Sequence, residues 1–238
     1  MQDLWDAAAR ALELIASADP ALGEIVGLSL TVSLAAVCFG MLLALPLGAL
    51  LALVRFPGRG LLVALLNAFM GLPPVVVGLV VYLALSRSGP LGTLGLLFTP
   101  AAMIVAQTLL VTPIIAAVAR QSLADLDAEY RPLLRSLGAG PWRSVPTLLW
   151  DARLSLGTAV LAGFGRASGE VGAVMIVGGN IDHVTRTMTT AIALETSKGN
   201  LAQALALGLV LITIALLVSL GVELLRLLAA RQQGLGGA

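Results

Sequence analysis

The chain contains 238 residues, 58% of them hydrophobic and 11% charged, and its net charge of +1 provides no basic surface for nucleic acid. Soluble domains carry about 25% charged residues, so a soluble fold of this length would have more surface than these charges can cover. The composition excludes an ordinary soluble protein and predicts that lipid and neighbouring membrane helices surround most of the chain.

Residues 2–17 have the pattern of a short amphipathic helix ahead of the first apolar stretch. One face would carry Leu4, Trp5, Ala8, Leu12 and Ile15, and such a helix can lie in the plane of a membrane surface. We predict that it belongs to an outer segment, residues 1–23. A helix exposed to solvent is the alternative.

Five long apolar stretches follow. Four have uncharged cores of more than 20 residues, and the remaining one contains only Arg166 and Glu170 as charged residues. About 20 apolar residues are enough for a helix to cross the ~30 Å hydrocarbon core of a bilayer. The predicted spans are residues 25–53, 61–86, 98–119, 154–178 and 200–226. The sequence therefore predicts an all-α, polytopic membrane helical bundle of about five transmembrane helices, in a single domain covering residues 1–238.

The arginine residues predict the orientation, because cytoplasmic loops carry an excess of Lys and Arg. Nine arginines fall on one side of a five-span bundle: Arg55, Arg59, Arg120, Arg131, Arg135, Arg143, Arg153, Arg226 and Arg231. The other side has only Arg10, Arg87, Arg186 and Lys198. We predict a plasma (inner) membrane protein with its N-terminus outside and its C-terminus in the cytoplasm.

The second span contains the stretch Gly71-Leu72-Pro73-Pro74. Proline removes a backbone donor and breaks or kinks a helix, and neighbouring helices make this tolerable in a membrane. We predict a break here that, together with Asn67, lines part of a pathway. A kink that serves only packing is the alternative.

The longest polar loop, residues 120–153, contains the stretch EYRPLLRSLGAGPWRSVPTLLWDAR. This pattern predicts a short helix that Gly138 ends, because glycine accepts the left-handed conformation at a helix C-terminus. Pro141 would begin a second short helix. The hairpin would present arginines and Trp142 to the cytosol, where a soluble partner can dock. An ordinary helical hairpin is the alternative.

Arg166 and Glu170 lie four residues apart in the fourth span, so on one helix they would share a face and pair. An unpaired arginine at the bilayer centre costs about 2.5–3.5 kcal/mol on insertion scales. We predict either a structural ion pair or a polar element of a translocation path or gate. Four glycines in the same stretch would let a neighbouring backbone approach closely and let the helix bend: Gly163, Gly165, Gly169 and Gly172.

The outer segment, residues 181–199, contains the stretch TRTMTTAIALET, which predicts a short helix at the outer mouth. A tetrahedral oxyanion binds hydroxyl, amide and arginine donors. Candidate donors are Thr185, Arg186, Thr189 and Thr190. A solvated loop that helps to dock an extracytoplasmic binding protein is the alternative.

Catalytic signatures are missing from the sequence. The phosphate-loop motif GxxxxGKS/T, the HExxH motif and the GxSxG motif do not occur. The only cysteine is Cys38 and the only histidine is His183, which excludes an internal disulfide and argues against a Cys/His metal site. We predict that the chain is not an enzyme and that it has no metal site and no cofactor of its own.

The polar loop resembles the coupling loop of ABC-importer permeases, whose signature runs E-A-A-x3-G-x9-I-x-L-P. Gly138 matches the signature glycine, whereas Pro132 stands where the glutamate is expected. Leu133 and Leu134 replace the alanines, Leu148 replaces isoleucine, and Trp150-Asp151 replaces Leu-Pro. The resemblance implies that residues 126–145 dock into the cleft of an ATPase subunit. The candidate coupling residues are Glu129, Arg131, Arg135, Gly138, Trp142 and Arg143.

The fourth span carries the most specific resemblance. Oxyanion permeases for molybdate and sulfate have a similar Arg-x-x-Gly-Glu-x-Gly segment, matched here by Arg166, Gly169, Glu170 and Gly172. Four stretches look like the tungstate branch of this family: residues 170–180, 185–200, 67–92 and 99–115. The resemblance covers about residues 24–226. The chain is therefore identified as a member of the oxyanion ABC-importer permeases, closest to the tungstate permeases.

This resemblance implies a type I ABC importer (MetI-like) permease fold that works by alternating access. It implies a second copy of the chain, cytoplasmic ATPase subunits that bind ATP and Mg²⁺, and an extracytoplasmic oxyanion-binding protein as partners. The candidate pathway or gate residues are Arg166, Gly169, Glu170, Gly172, Asn180, Thr185, Arg186, Thr189 and Thr190. Tungstate is the expected substrate, with molybdate or sulfate as alternatives. A stand-alone secondary transporter or channel, and a membrane assembly protein without cargo, are the competing classes.

Overall fold

The structure is a computed structural model that describes residues 20–138 and 140–235, together with Trp5, Ala9, Leu12, Glu13, Ala16 and Ser17. Side chains are described throughout these ranges except at 135, 141, 142, 222 and 225–235. Most of the predicted amphipathic helix 2–17 lies outside the described residues. The side chains of Arg135 and Trp142, two of the predicted coupling residues, also lie outside them.

Every regular element in the described ranges is helical, so the all-α prediction is confirmed. The α-helices are α1 (Pro20–Leu53), α2 (Arg59–Met70), α3 (Pro74–Leu85), α4 (Pro100–Ser136), α5 (Pro141–Asp151), α6 (Arg153–Ser168), α7 (Gly172–Gly178), α8 (Met188–Ser197) and α9 (Leu201–Leu235). A 3₁₀ turn, Gly92–Leu94, precedes α4.

Three of these helices are long and apolar enough to cross a membrane, by length and composition: Pro20–Leu53, Pro100–Leu134 and Leu201–Gly221. Two further candidates are bent pairs. The axes of α2 and α3 differ by 102°, and those of α6 and α7 by 58°. The described residues therefore contain up to five spans, in agreement with the sequence, and two of the five are broken.

The break in the second span follows from its sequence. The amide of Gly71 donates to the carbonyl oxygen of Ala68 over 3.1 Å, which ends α2 in a tight turn. Pro74 then occupies the first turn of α3, where its missing N–H is no loss. The predicted interruption at Gly71–Pro74 is confirmed.

The helix of the third span is much longer than predicted. It does not end near residue 119 but continues to Ser136 as one helix of 37 residues. The polar part from Arg120 onward is rich in good helix formers, and Arg131 pairs with Asp127 one turn earlier. The prediction of a separate first helix in the hairpin is therefore wrong, because that segment is the end of α4.

Close packing of α1, α4 and α6 forms the centre of the bundle. A β-carbon at Gly48 in α1 would lie 3.1 Å from the backbone oxygen of Ala116 in α4. A β-carbon at Gly163 in α6 would lie 2.8 Å from the Cδ1 atom of Ile115 in α4. The absence of side chains at these glycines lets the helices approach closely, as expected of small residues in membrane interfaces.

The bundle has two distinct ends. At one, which we name the Glu24 end, the start of α1 meets the loop 179–187, because Glu24 Oε2 lies 2.7 Å from His183 Nδ1. At the other, the Gly138 end, Leu148 of α5 is buried with Ala52 and Leu123. The predicted outer segment and the predicted coupling hairpin therefore lie at opposite ends of the bundle.

Candidate functional site

The fourth span breaks between Ser168 and Gly172. Helix α6 ends at Ser168, and Glu170 lies in the connection before α7 begins. Arg166 and Glu170 are therefore not on one continuous helix, and this prediction is wrong. Glycines on both sides of Glu170 have low helix propensity, and the amide of Glu170 turns back to the carbonyl oxygen of Ala167 over 3.2 Å.

The predicted pairing of Arg166 with Glu170 is confirmed despite the break. Arg166 Nη1 lies 3.6 Å from Glu170 Oε2, with the arginine side chain 35% exposed and the glutamate 5% exposed. The other carboxylate oxygen, Oε1, accepts a hydrogen bond from the Ala173 amide over 3.2 Å. One buried carboxylate therefore neutralises the arginine and also satisfies a free amide in the first turn of α7.

Two further side chains bind the backbone at this break. Thr189 in α8 donates its hydroxyl hydrogen to the carbonyl oxygen of Glu170 over 2.8 Å. Gln107 in α4 donates its side-chain amide to the carbonyl oxygen of Ala167 over 3.0 Å. Gln107 is not among the residues predicted from the sequence, and the signal that could have indicated it is a polar side chain in the largely apolar third span.

The second halves of the two broken spans pack against each other. A β-carbon at Gly172, the first residue of α7, would lie 2.8 Å from Val75 Cγ2 in the first turn of α3. A β-carbon at Gly78 would lie 2.7 Å from the Cα atom of Ala173. The breaks at 71–73 and 169–171 therefore lie side by side. This explains why Gly172 is needed at its position.

The loop 179–187 is closed by the hydroxyl of Thr185. This hydroxyl donates to the Gly178 carbonyl oxygen over 2.5 Å and accepts from the Ile181 amide over 3.0 Å. Thr185 is fully buried. Asn180, in the left-handed region at φ 51°, donates from Nδ2 to the Thr190 carbonyl oxygen over 3.4 Å. Both side chains thus hold the loop in shape.

Thr190 belongs to a capping box at the start of α8. The amide of Thr187 donates to Thr190 Oγ1 over 3.0 Å, and the two hydroxyls lie 3.1 Å apart. Thr190 is fully buried. The structure brings the predicted threonines close in sequence but directs their hydroxyls to backbone groups and to each other. Binding of an oxyanion by these hydroxyls stays a prediction.

Arg186 lines a cavity of about 560 Å³ at the Glu24 end, together with Glu24, His183, Glu195 and Lys198. Its Nη1 lies 2.6 Å from Asp182 Oδ1. Lys198 Nζ donates to Glu195 Oε1 over 2.8 Å, and this hydrogen bond is the main reason why the pKa of Glu195 lies below its ordinary value. The cavity therefore has mixed charge, with each of these cations held by a carboxylate.

His183 connects this loop to α1. Its Nδ1 lies 2.7 Å from Glu24 Oε2, and its backbone is in the left-handed region at φ 57°. The hydrogen bond to Glu24, followed by the charges of Glu24 and Asp182, raises the pKa of the His183 imidazole. The loop 179–187 is thus fastened to α1 by a contact that includes a titratable imidazole.

Gly138 forms the turn at the other end of the bundle. Its φ of 70° lies in the left-handed region, as predicted for the residue that ends the first helix of the hairpin. Glu129 and Arg143 are exposed near this turn, whereas Arg131 is partly buried and bound to Asp127. Exposed Leu137 adds an apolar contact point. Docking of another protein at this turn stays a prediction.

These features describe a bundle of helices long and apolar enough to span a membrane, with two of the spans broken, and comparison with known proteins supplies its family. The family model described as binding-protein-dependent transport system inner membrane component matches residues 44–230. The chain therefore belongs to this family of ABC transporter permease subunits.

Three relatives match most of the chain. A probable anion ABC transporter permease protein of Haloferax volcanii is 42% identical over 82% of this chain and 86% of its own length. The tungstate uptake system permease protein TupB of Peptoclostridium acidaminophilum is 40% identical over 88% of this chain and 92% of its own length. The molybdenum transport system permease protein ModB of Escherichia coli K12 is 32% identical over 81% of this chain and 89% of its own length.

A solved structure has the same fold. A chain of the inward-facing MetNI methionine ABC transporter, in its CY5 native crystal form, superposes with a TM-score of 0.71 over 88% of this chain and 95% of that chain. The two sequences are 20% identical, so the likeness concerns the fold alone. The predicted type I ABC importer (MetI-like) permease fold is confirmed.

Proposed function

We propose that this chain is the membrane-spanning subunit of an ATP-driven importer of a tungstate-like oxyanion. The observation that carries the proposal is the 40% identity, over 88% of this chain, to a permease named for tungstate uptake. Molybdenum permeases match at 32% identity, which favours tungstate over molybdate. Sulfate remains a third candidate because its permeases share the motif around Arg166 and Glu170.

The proposed partners follow from the two ends of the bundle. The arginine-rich Gly138 end faces the cytoplasm, and its exposed turn docks an ATPase subunit that binds ATP and Mg²⁺. The Glu24 end then lies outside, together with the N-terminus, and receives the oxyanion-binding protein. A second copy of the chain completes the pathway. In this arrangement the chain itself carries no ATPase site, consistent with the missing phosphate-loop motif.

Helix α4 supplies the mechanical connection. Its 37 residues correspond to a rod of about 55 Å at 1.5 Å per residue, which reaches from Pro100 near the Glu24 end to the turn at Gly138. Closure of the ATPase pair would push on residues 126–145 and tilt this rod. The breaks in the second and fourth spans are the places where the bundle can change shape, because half-helices pivot there without losing hydrogen bonds in their interiors.

Arg166 supplies the positive charge of the pathway. Its side chain is about one-third exposed, whereas the carboxylate that neutralises it is buried. An oxyanion that reaches the guanidinium finds donors suited to its oxygens but competes with Glu170 for them. Binding is therefore weak enough for release, and the binding protein supplies the high affinity.

The proposal is tested in proteoliposomes that contain the chain and its ATPase partner, with the binding protein outside and ATP inside. Tungstate, molybdate and sulfate are added separately and in competition, and internal anion is measured by mass spectrometry. We expect ATP-dependent accumulation of tungstate in preference to molybdate and sulfate. Accumulation without the ATPase subunit would instead establish a stand-alone secondary transporter and overturn the proposal.

A further inference from the structure

Gln107 is a buried polar side chain in the third span. It lies in α4 and is 3% exposed. Its amide donates to the carbonyl oxygen of Ala167 over 3.0 Å, across 60 residues of sequence. Ala167 directly follows Arg166 and lies in the last turn of α6, immediately before the break.

The break makes this hydrogen bond important. The last carbonyl groups of a helix have no partner within the helix, and lipid supplies none. The Ala167 carbonyl oxygen receives the Glu170 amide as well as the Gln107 amide. The end of α6 is thus held by the backbone amide of Glu170, three residues further along the chain, and by the Gln107 side chain of α4.

The neighbouring polar residues of α4 have other partners. Thr108 donates to the Ala36 carbonyl oxygen of α1 over 3.4 Å, and Thr112 donates to the Thr108 carbonyl oxygen of its own helix over 2.6 Å. Among the side chains that the structure describes in α4, Gln107 is the one with a hydrogen bond to α6. It therefore provides a polar link between the helix that ends at the Gly138 turn and the break beside Arg166.

Of the two polar atoms of the Gln107 side-chain amide, only the nitrogen is hydrogen-bonded to a described residue. The Oε1 atom of Gln107 is buried and has no hydrogen-bond partner among the described residues. A buried acceptor without a partner raises the free energy of the folded protein. A conformation that brings a donor to Oε1 removes this cost. The side chain thus has the means to exchange partners when the helices move.

We propose that Gln107 is a positioning residue that transmits the movement of α4 to the break in the fourth span and thereby places Arg166 in the pathway. This inference rests on the proposed function, since it assigns a role in coupling ATP hydrolysis to transport. Gln107 does not contact the oxyanion in this role. It fixes where the end of α6 lies relative to α4.

The test compares Gln107→Leu with a matched control, Thr108→Val. Each variant removes one buried hydrogen bond from adjacent positions of α4, but only the first bond reaches the break. In the complete complex we expect Gln107→Leu to hydrolyse ATP at nearly the wild-type rate while tungstate transported per ATP falls roughly tenfold, the size expected for one lost hydrogen bond. Thr108→Val should keep the wild-type ratio. Equal ratios in the two variants would overturn the proposal.

A second readout does not depend on the anion. With Cys38 replaced by serine, spin labels are placed at the exposed positions Leu133 in α4 and Ala162 in α6. In the protein that retains Gln107, we expect the distribution of distances between the two labels to stay narrow with and without ATP. In Gln107→Leu we expect this distribution to broaden. Gln107→Met, of similar volume, replaces the leucine variant if that variant does not fold. An unchanged distribution refutes the role of Gln107.

The two hypotheses fail differently. If the unmutated complex does not accumulate tungstate, the proposed substrate is wrong, and the spin-label distances still decide the role of Gln107. If it accumulates tungstate and Gln107→Leu does so with the same yield per ATP, only the positioning role is wrong.

Discussion

Gly78 in α3 lies directly against the backbone of Ala173 in α7. A β-carbon at Gly78 would come within 2.7 Å of the Ala173 Cα atom and 3.2 Å of its carbonyl oxygen. Because these are backbone atoms, they cannot turn aside as the end of a flexible side chain would. The second halves of the two broken spans therefore form one closely packed unit.

We predict that Gly78→Ala destabilises the protein by about 1–3 kcal/mol, the usual cost of overpacking a filled interior. The melting temperature of the purified protein in detergent measures this effect. Gly208→Ala in α9 is the control, because a β-carbon there has no heavy atom within 4 Å. The close contact would be disproved if both variants melted at the same temperature.

The burial asymmetry of the Arg166–Glu170 pair predicts an order of stability. Arg166→Gln leaves the 5% exposed Glu170 carboxylate without its counter-charge, at a cost of about 1–3 kcal/mol. Arg166→Gln/Glu170→Gln removes the buried charge and keeps an oxygen that can accept from the Ala173 amide. We expect the double variant to melt at a higher temperature than Arg166→Gln alone. If Arg166→Gln melted at the higher temperature, the stability of the protein would not depend on neutralisation of the Glu170 carboxylate by Arg166.

Substitution of Gly138 should impair coupling without preventing folding. A β-carbon there meets no atom within 4 Å, so the cost of Gly138→Val is the left-handed backbone, about 1–2 kcal/mol. We expect normal insertion into the membrane but reduced stimulation of ATP hydrolysis by the loaded binding protein. Two control variants should retain stimulation. Gly138→Asn is one, because asparagine tolerates the left-handed conformation. Gly140→Ala is the other, because Gly140 has a φ of −77°, which any residue can adopt. Full stimulation in Gly138→Val would contradict the assigned role of the turn.

The His183–Glu24 contact predicts a pH dependence at the Glu24 end. The pKa of His183 is raised above its ordinary value of 6.5, mainly by Glu24 and then by Asp182, while Arg186 opposes the shift. A histidine with a raised pKa contributes stability that is complete below its ordinary pKa and is lost as the pH rises through the raised value. The melting temperature should therefore fall from mildly acidic to mildly alkaline pH.

The contribution of this contact is isolated by His183→Gln and by Glu24→Gln. Both variants should flatten the fall in melting temperature, because each removes one partner of the same ion pair. Glu195 of α8, Lys198 directly after that helix and Gln203 of α9 line the same cavity. All three stay unchanged in both variants. A steep fall that persists in both variants would assign the pH dependence to other groups.

Much of the architecture was predictable from local patterns. Uncharged stretches of membrane length indicated the spans, and Gly71–Pro74 indicated the first break, because backbone chemistry alone disfavours a helix there. The left-handed turn at Gly138 was predictable for the same reason. The continuation of α4 to Ser136 was not predicted, because a polar helical segment beyond the membrane has no hydrophobic signal to distinguish it from a separate short helix.

The candidate site was predictable only in part. Arg166 and Glu170 stood out because charges are rare in an apolar span, and their pairing follows from their spacing. Gln107 did not stand out, since it is uncharged and acts on a backbone carbonyl group of a distant segment. Thr189 was predicted as an oxyanion donor, and its hydroxyl binds the carbonyl oxygen of Glu170 instead. Conversely, Thr185 and Thr190 looked like free donors in the sequence, and only the folded loop shows that their hydroxyls are already used.

The sequence by itself determined that this chain crosses a membrane several times and that one span carries an ion pair, because the cost of placing charge in lipid restricts what such a span can contain. The tertiary structure alone decided which side chains satisfy the backbone at the break of that span. A carbonyl group freed by a broken helix must bind whatever donor the packing brings within about 3 Å, and here the donors come from α4 and α8, far along the chain from Ala167 and Glu170.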